Sequence, residues 1–62
     1  MTTRERQILE AIKELGGKAH PTTVGRKVGI SSDYAEQLCR DLVYLGYLEK
    51  IGLHYKIKKE KK

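Results

Sequence analysis

The chain has 62 residues, with 13 Lys and Arg against 8 Asp and Glu for a formal charge of +5, and a single cysteine. A chain of that length supports one domain burying only about 60% of its unfolded surface, which leaves too little interior for a drug-sized pocket and argues against an ordinary small-molecule enzyme. One cysteine excludes an intramolecular disulfide, so packing alone must hold the fold, as suits a reducing, cytoplasmic setting.

No apolar stretch approaches the roughly 18 residues of a membrane span, and polar residues follow Met1 at once, so neither a membrane partner nor a signal peptide is expected. Positive charge of this size fits a polyanionic partner. Its distribution is uneven. Arg4, Arg6 and Lys13 balance Glu5, Glu10 and Glu14, whereas Lys50, Lys56, Lys58, Lys59, Lys61 and Lys62 carry most of the excess. Asparagine is absent while Lys and Glu abound, a mix also found in thermophile proteins.

The first element is a helix. Thr2-Thr3-Arg4-Glu5 has the capping-box pattern, with Thr2 as N-cap and Glu5 three residues on. Ile8, Leu9, Ile12 and Leu15 then form an apolar stripe, and Gly16-Gly17 ends it. Lys18-Ala19-His20 is too short to stand alone as a strand but suits the edge of a sheet. Pro21 favours the first helical position, so a second helix is predicted over 21–28, with Val24 and Val28 inward and Gly25 allowing a close helix crossing. Gly29 closes it, Ile30 plugs the turn into the core, and Ser31 caps a third helix.

That third helix places Ala35, Leu38, Leu42 and Leu45 at helical spacing, and Gly46 stops it. At about 100° per residue, an inward stripe of those four residues turns Asp33, Glu36, Arg40 and Tyr44 outward, with Gln37 at the edge. Two strands are predicted next, 47–51 and 54–58, joined around Gly52-Leu53. Glycine at the first central position suits a type II′ hairpin. Residues 59–62 read as a basic tail.

Helix, short edge, helix, turn, helix and hairpin is the order of a winged helix-turn-helix domain. The string Val24-Gly25-Arg26-Lys27-Val28-Gly29-Ile30-Ser31 resembles the second helix and turn of that family, and Leu38, Leu42 and Leu45-Gly46-Tyr47-Leu48-Glu49-Lys50 resemble its third helix and the step into the wing. The chain is most similar to small prokaryotic transcriptional regulators of MarR-like and ArsR-like type. The resemblance implies an α+β, mostly helical fold, a three-helix helix-turn-helix bundle with a short C-terminal β-hairpin wing over residues 1–58. It also implies a DNA-binding function with the third helix in the major groove, a wing at the adjacent backbone, and candidate base contacts from Ser32, Asp33, Tyr34, Glu36, Gln37 and Arg40.

Arg and Gln read guanine and adenine, and a carboxylate accepts from cytosine N4. Against this stands a plain solvated surface in which Glu36 pairs with Arg40 and Gln37 with Asp41. For Tyr34, ring packing with an exposed hydroxyl competes with stacking on a base. Arg26, Lys27, Lys50, Lys56 and Lys58 are candidate phosphate contacts, although lysines on a hairpin also protect sheet edges. Tyr44 and Tyr47, the first helix or the tail would serve a homodimer, and the acidic third helix and short wing leave a protein-interaction module or accessory subunit as the alternative function.

His20, His54 and Cys39 are the soft candidates for metal ligation. They lack ligand spacing, and Cys39 lies beside the apolar stripe, so a buried inert thiol is expected and no metal or cofactor. No Gly-rich phosphate loop or nucleophile–base pair is present, which gives no catalytic residue, and no effector domain indicates a small-molecule signal.

Overall fold

A computed structural model describes residues 2–58. It contains α1 (Thr3–Glu14), β1 (Lys18–Ala19), α2 (Pro21–Val28), α3 (Ser32–Tyr44), β2 (Leu48–Ile51) and β3 (His54–Ile57). The architecture is mixed α+β: three helices against a three-stranded antiparallel sheet in the order β1-β3-β2, compatible with a winged-helix arrangement. Among the described residues no helix is long and apolar enough to cross a membrane. The basic tail expected over 59–62 lies outside the described residues.

Each helix begins where its side chains satisfy free amides. Thr2 and Glu5 complete the capping box of α1, His20 Nδ1 accepts from the Thr22 N–H at 3.1 Å to cap α2, and Ser31 Oγ accepts from Tyr34 N–H to cap α3. The ends of α1 and α3 share one device. Gly17 N–H donates to the Ile12 carbonyl and Gly16 N–H to that of Lys13; Tyr47 and Gly46 repeat this pair with Leu42 and Val43. These are Schellman motifs, and each turns the chain directly into a strand. Gly17 and Tyr47 then accept from Ile57 and Lys58, fastening the exits of both helices to β3.

β3 lies between the other two strands, which pairs Ala19 with Tyr55, Lys18 with Lys56, Glu49 with Lys56 and Lys50 with Tyr55. The Ile51↔His54 pair leaves a two-residue loop, with positive φ (61°) at Gly52 and not at Leu53, the requirement of a type II′ turn.

The core comprises Ile8, Ala11, Ile12, Ala19, Val24, Ala35, Leu38, Cys39, Leu42, Leu48 and Tyr55, with Leu9, Leu15, Val28, Ile30, Val43 and Ile57 packed around it. Leu45 departs from the expected inward stripe: it is 52% exposed, whereas Cys39 is fully buried. The buried face of α3 is centred on Ala35 and Leu42, and Cys39 lies about 50° from that centre while Leu45 lies about 70° away on the other flank. Leu45 also follows the last helical residue, so it lines a surface groove with Leu9, Tyr47 and Ile57.

At Gly25 the backbone of α2 comes close to the turn that leads into α3. A Cβ there would sit 2.9 Å from the Ile30 carbonyl oxygen and 3.2 Å from that of Ser31. Gly25→Ala should therefore lower stability, since crowding a rigid backbone costs about 1–3 kcal/mol and outweighs the roughly 1 kcal/mol of helix propensity gained. Calorimetry should show a melting temperature several degrees lower; an unchanged or higher value contradicts the close approach.

Burial, and secondarily the Glu36 carboxylate, push the Cys39 thiol from 9.0 up to about 12. Below pH 9.0 folded and unfolded chains both hold the thiol proton, so the contribution of this site to stability is fully present. Between there and about 12 the unfolded chain releases the proton while the folded chain keeps it, so stability falls as pH rises. Urea midpoints measured across that interval should decline less steeply in Cys39→Ala than in the parent chain; parallel curves contradict the burial effect.

Candidate nucleic-acid interface

With Ala35 and Leu42 facing the core, helical geometry sends Asp33, Gln37, Arg40 and Tyr44 outward, places Glu36 on the flank beside Cys39, and puts Tyr34 on the opposite flank. Ser32, Asp33, Gln37 and Arg40 are all exposed. Asp33 in the first turn also complements the positive end of the helix dipole. Tyr34, at 43% exposure, lies partly packed and away from the outward row. The structure thus gathers Asp33, Gln37, Arg40 and Glu36 into one surface and separates Tyr34 from them.

Arg40 Nη2 lies 3.6 Å from Glu36 Oε2, the i,i+4 pair expected of a solvated helix. The separation exceeds hydrogen-bond range and both groups meet water, so the pair constrains Arg40 little. No hydrogen bond links Gln37 to Asp41 among the described residues. Arg40 and Gln37 therefore keep most of their donors free for an external acceptor.

Tyr55, which the sequence reading did not single out, lies beneath this surface: it is 1% exposed and belongs to the same core cluster as Cys39 and Leu42. Burial first, then Glu36 and Cys39, raise its hydroxyl pKa, and Arg40 opposes them. The Tyr55 hydroxyl is buried with no hydrogen-bond partner among the described residues. An unpaired buried hydroxyl costs on the order of 1–3 kcal/mol. The strand alternation was the available signal, since it turns Tyr55 inward, but it could not show that the hydroxyl goes without a partner.

The candidate phosphate contacts divide by location. The register gives Lys50 the same sheet face as Tyr55, and its Nζ stands 5.9 Å from the centre of the Tyr55 ring. Lys56 pairs with Glu49 and Lys18 on the outer face, and alternation sends Lys58 to that side too. Since β3 is the central strand, edge protection does not account for Lys56. Arg26 is exposed on α2, whereas Lys27 is bound to Glu14 of α1 at 3.1 Å.

The same register brings His20 and His54 together on the outer face, their rings edge to face with centroids 5.6 Å apart. Nδ1 of His20 is occupied as a cap acceptor, so the neutral ring carries its proton on Nε2. Among the described residues no three His, Cys, Asp or Glu side chains converge as metal ligands. Exposed apolar side chains cluster in two places, Tyr44, Leu45 and Tyr47 at the end of α3 and Ile51 and Leu53 at the hairpin tip. Compared with protein-family models, curated proteins and solved structures, the chain matches none of them.

Proposed function

We propose that this protein is a small winged-helix DNA-binding protein, a transcriptional regulator in which α3 enters the major groove and the hairpin acts as a short wing. The observation that carries the reading is the placement of α3: its outward row of Asp33, Gln37 and Arg40 is free of other elements, while Lys50 extends from the hairpin beside it. Arg26, Lys56 and Lys58 supply exposed positive charge on flanking elements, and the net charge of +5 favours a polyanion. In this reading Gln37 and Arg40 address base edges and the lysines address phosphates.

A second reading, a winged-helix protein-interaction module, is supported by the apolar group at the end of α3, where Tyr44 is 91% and Leu45 52% exposed. It requires no affinity for DNA.

Titrating duplex DNA across a salt series separates the two. With about four phosphates neutralised, a fourfold rise in salt should weaken binding by about two orders of magnitude. Lys56→Ala should weaken binding to every sequence and flatten the salt slope, whereas Gln37→Ala should relax sequence preference with the slope retained. Absence of binding at low salt rejects the DNA reading, and identical behaviour of the two variants rejects the division of roles.

A further inference from the structure

The outer face of the sheet carries an electrostatic arrangement that folding by itself disfavours. Lys18 of β1 stands directly opposite Lys56 of β3, and two residues along the same strands His20 meets His54 with ring centroids 5.6 Å apart. Like charges directly opposed across strands destabilise a sheet. Both lysines are exposed, and among the described residues neither forms an ion pair, not even Lys56 with Glu49, its partner in the register of β2 on β3. Protection of a sheet edge accounts for a lysine on β1 but not for its counterpart on the central strand.

The histidines add donors to the same face. With Nδ1 of His20 accepting from the Thr22 N–H, the neutral ring presents Nε2–H. His54 beside it is exposed and carries at least one N–H in either charge state. Residues 54 and 56 lie two strand rises apart, about 7 Å along β3. The face therefore offers two tiers of donors, Lys18 with Lys56 and His20 with His54, at a spacing close to the repeat of successive phosphates along one nucleic-acid strand.

We propose that the outer sheet face is a phosphate-binding surface separate from α3, which takes two consecutive phosphodiesters of a nucleic-acid strand. One phosphate sits between Lys18 and Lys56, and the next accepts from His20 Nε2–H and the His54 ring. The inference rests on the DNA-binding reading above for its partner, and adds Lys18, His20 and His54 to it. Phosphate oxygens accept from both lysines at once, so the opposition that strains the free chain becomes attraction in the complex. No α3 residue takes part, and the face reads no sequence.

A labelled duplex of arbitrary sequence, titrated in a salt series, tests this. Lys18→Ala should weaken binding on the order of tenfold at about 0.1 M salt and reduce the salt slope by about one. Arg6→Ala, which removes the same charge from an exposed position of α1, should leave the slope unchanged. Without DNA, Lys18→Glu should raise the melting temperature at low salt by about one degree or more, because it replaces opposed lysines with an opposite-charge pair, and it should weaken binding further than Lys18→Ala. The chain has two histidines and both lie on this face, so their ring proton resonances report on it alone. Both should shift when the duplex is added, and less so in Lys18→Glu.

Equal losses in Arg6→Ala and Lys18→Ala show an effect of net charge and overturn the inference. Unmoved histidine resonances, or a Lys18→Ala protein with the affinity and slope of the parent chain, also overturn it and leave the reading of α3 standing. If Gln37→Ala binds every duplex as the parent does while Lys18→Ala does not, the outer face stands and the reading of α3 fails. A parent chain that binds no duplex at low salt overturns both.

Discussion

The missing side chain at Gly25 sets the distance between α2 and the turn that starts α3. The backbone oxygens of Ile30 and Ser31 occupy the space where a Cβ would stand, and the Gly25 carbonyl accepts from both Gly29 and Ile30. The turn is thereby folded back on α2. Ser31 can then cap α3, and Ala35 can approach α2 closely enough that its own Cβ would be 3.4 Å from one on Gly25. A larger residue at either position would move α3 as a unit, and with it every side chain on its outward row. Small residues at a helix crossing thus control a surface they do not touch.

The sheet provides a second fixed reference for that surface. Carbonyls at the exits of α1 and α3 accept from Ile57 and Lys58, so β3 is tied to both helices as well as to both neighbouring strands. With β3 central, Tyr55 is anchored from either side by Ala19 and Lys50. A buried residue on such a strand has little latitude, which is why an unpaired hydroxyl there is informative. It marks a place where packing and hydrogen bonding are not jointly optimised.

Two features keep the interface modest in charge. Lys27 is engaged by Glu14, and Arg40 by Glu36, so two of the basic residues near α3 are partly neutralised within the chain. The lysines of the hairpin lie on opposite faces, Lys50 on that of Tyr55 and Lys56 on the other. The exposed positive charge is therefore spread over several elements and both faces of the sheet without forming one continuous patch.

Local rules in the chain already specified most of the backbone. The capping box at Thr2, proline at position 21, Ser31 before an apolar repeat, and glycine at 16, 29, 46 and 52 are short-range signals, and each element formed where its signal stood. The inward identity of Ile8, Ile12, Val24 and Leu42 followed from periodicity for the same reason. Rotation of α3 about its axis did not, because a helical repeat leaves tens of degrees undetermined; packing against the sheet selected Cys39 over Leu45 for the interior. The register of β1 on β3 was equally beyond reach, since it depends on pairing between residues 36 to 38 positions apart, Ala19 with Tyr55 among them. That long-range pairing joined His20 to His54 and set Ala19 against Tyr55, so the backbone was legible from neighbours in sequence while the company of these side chains came from neighbours in space.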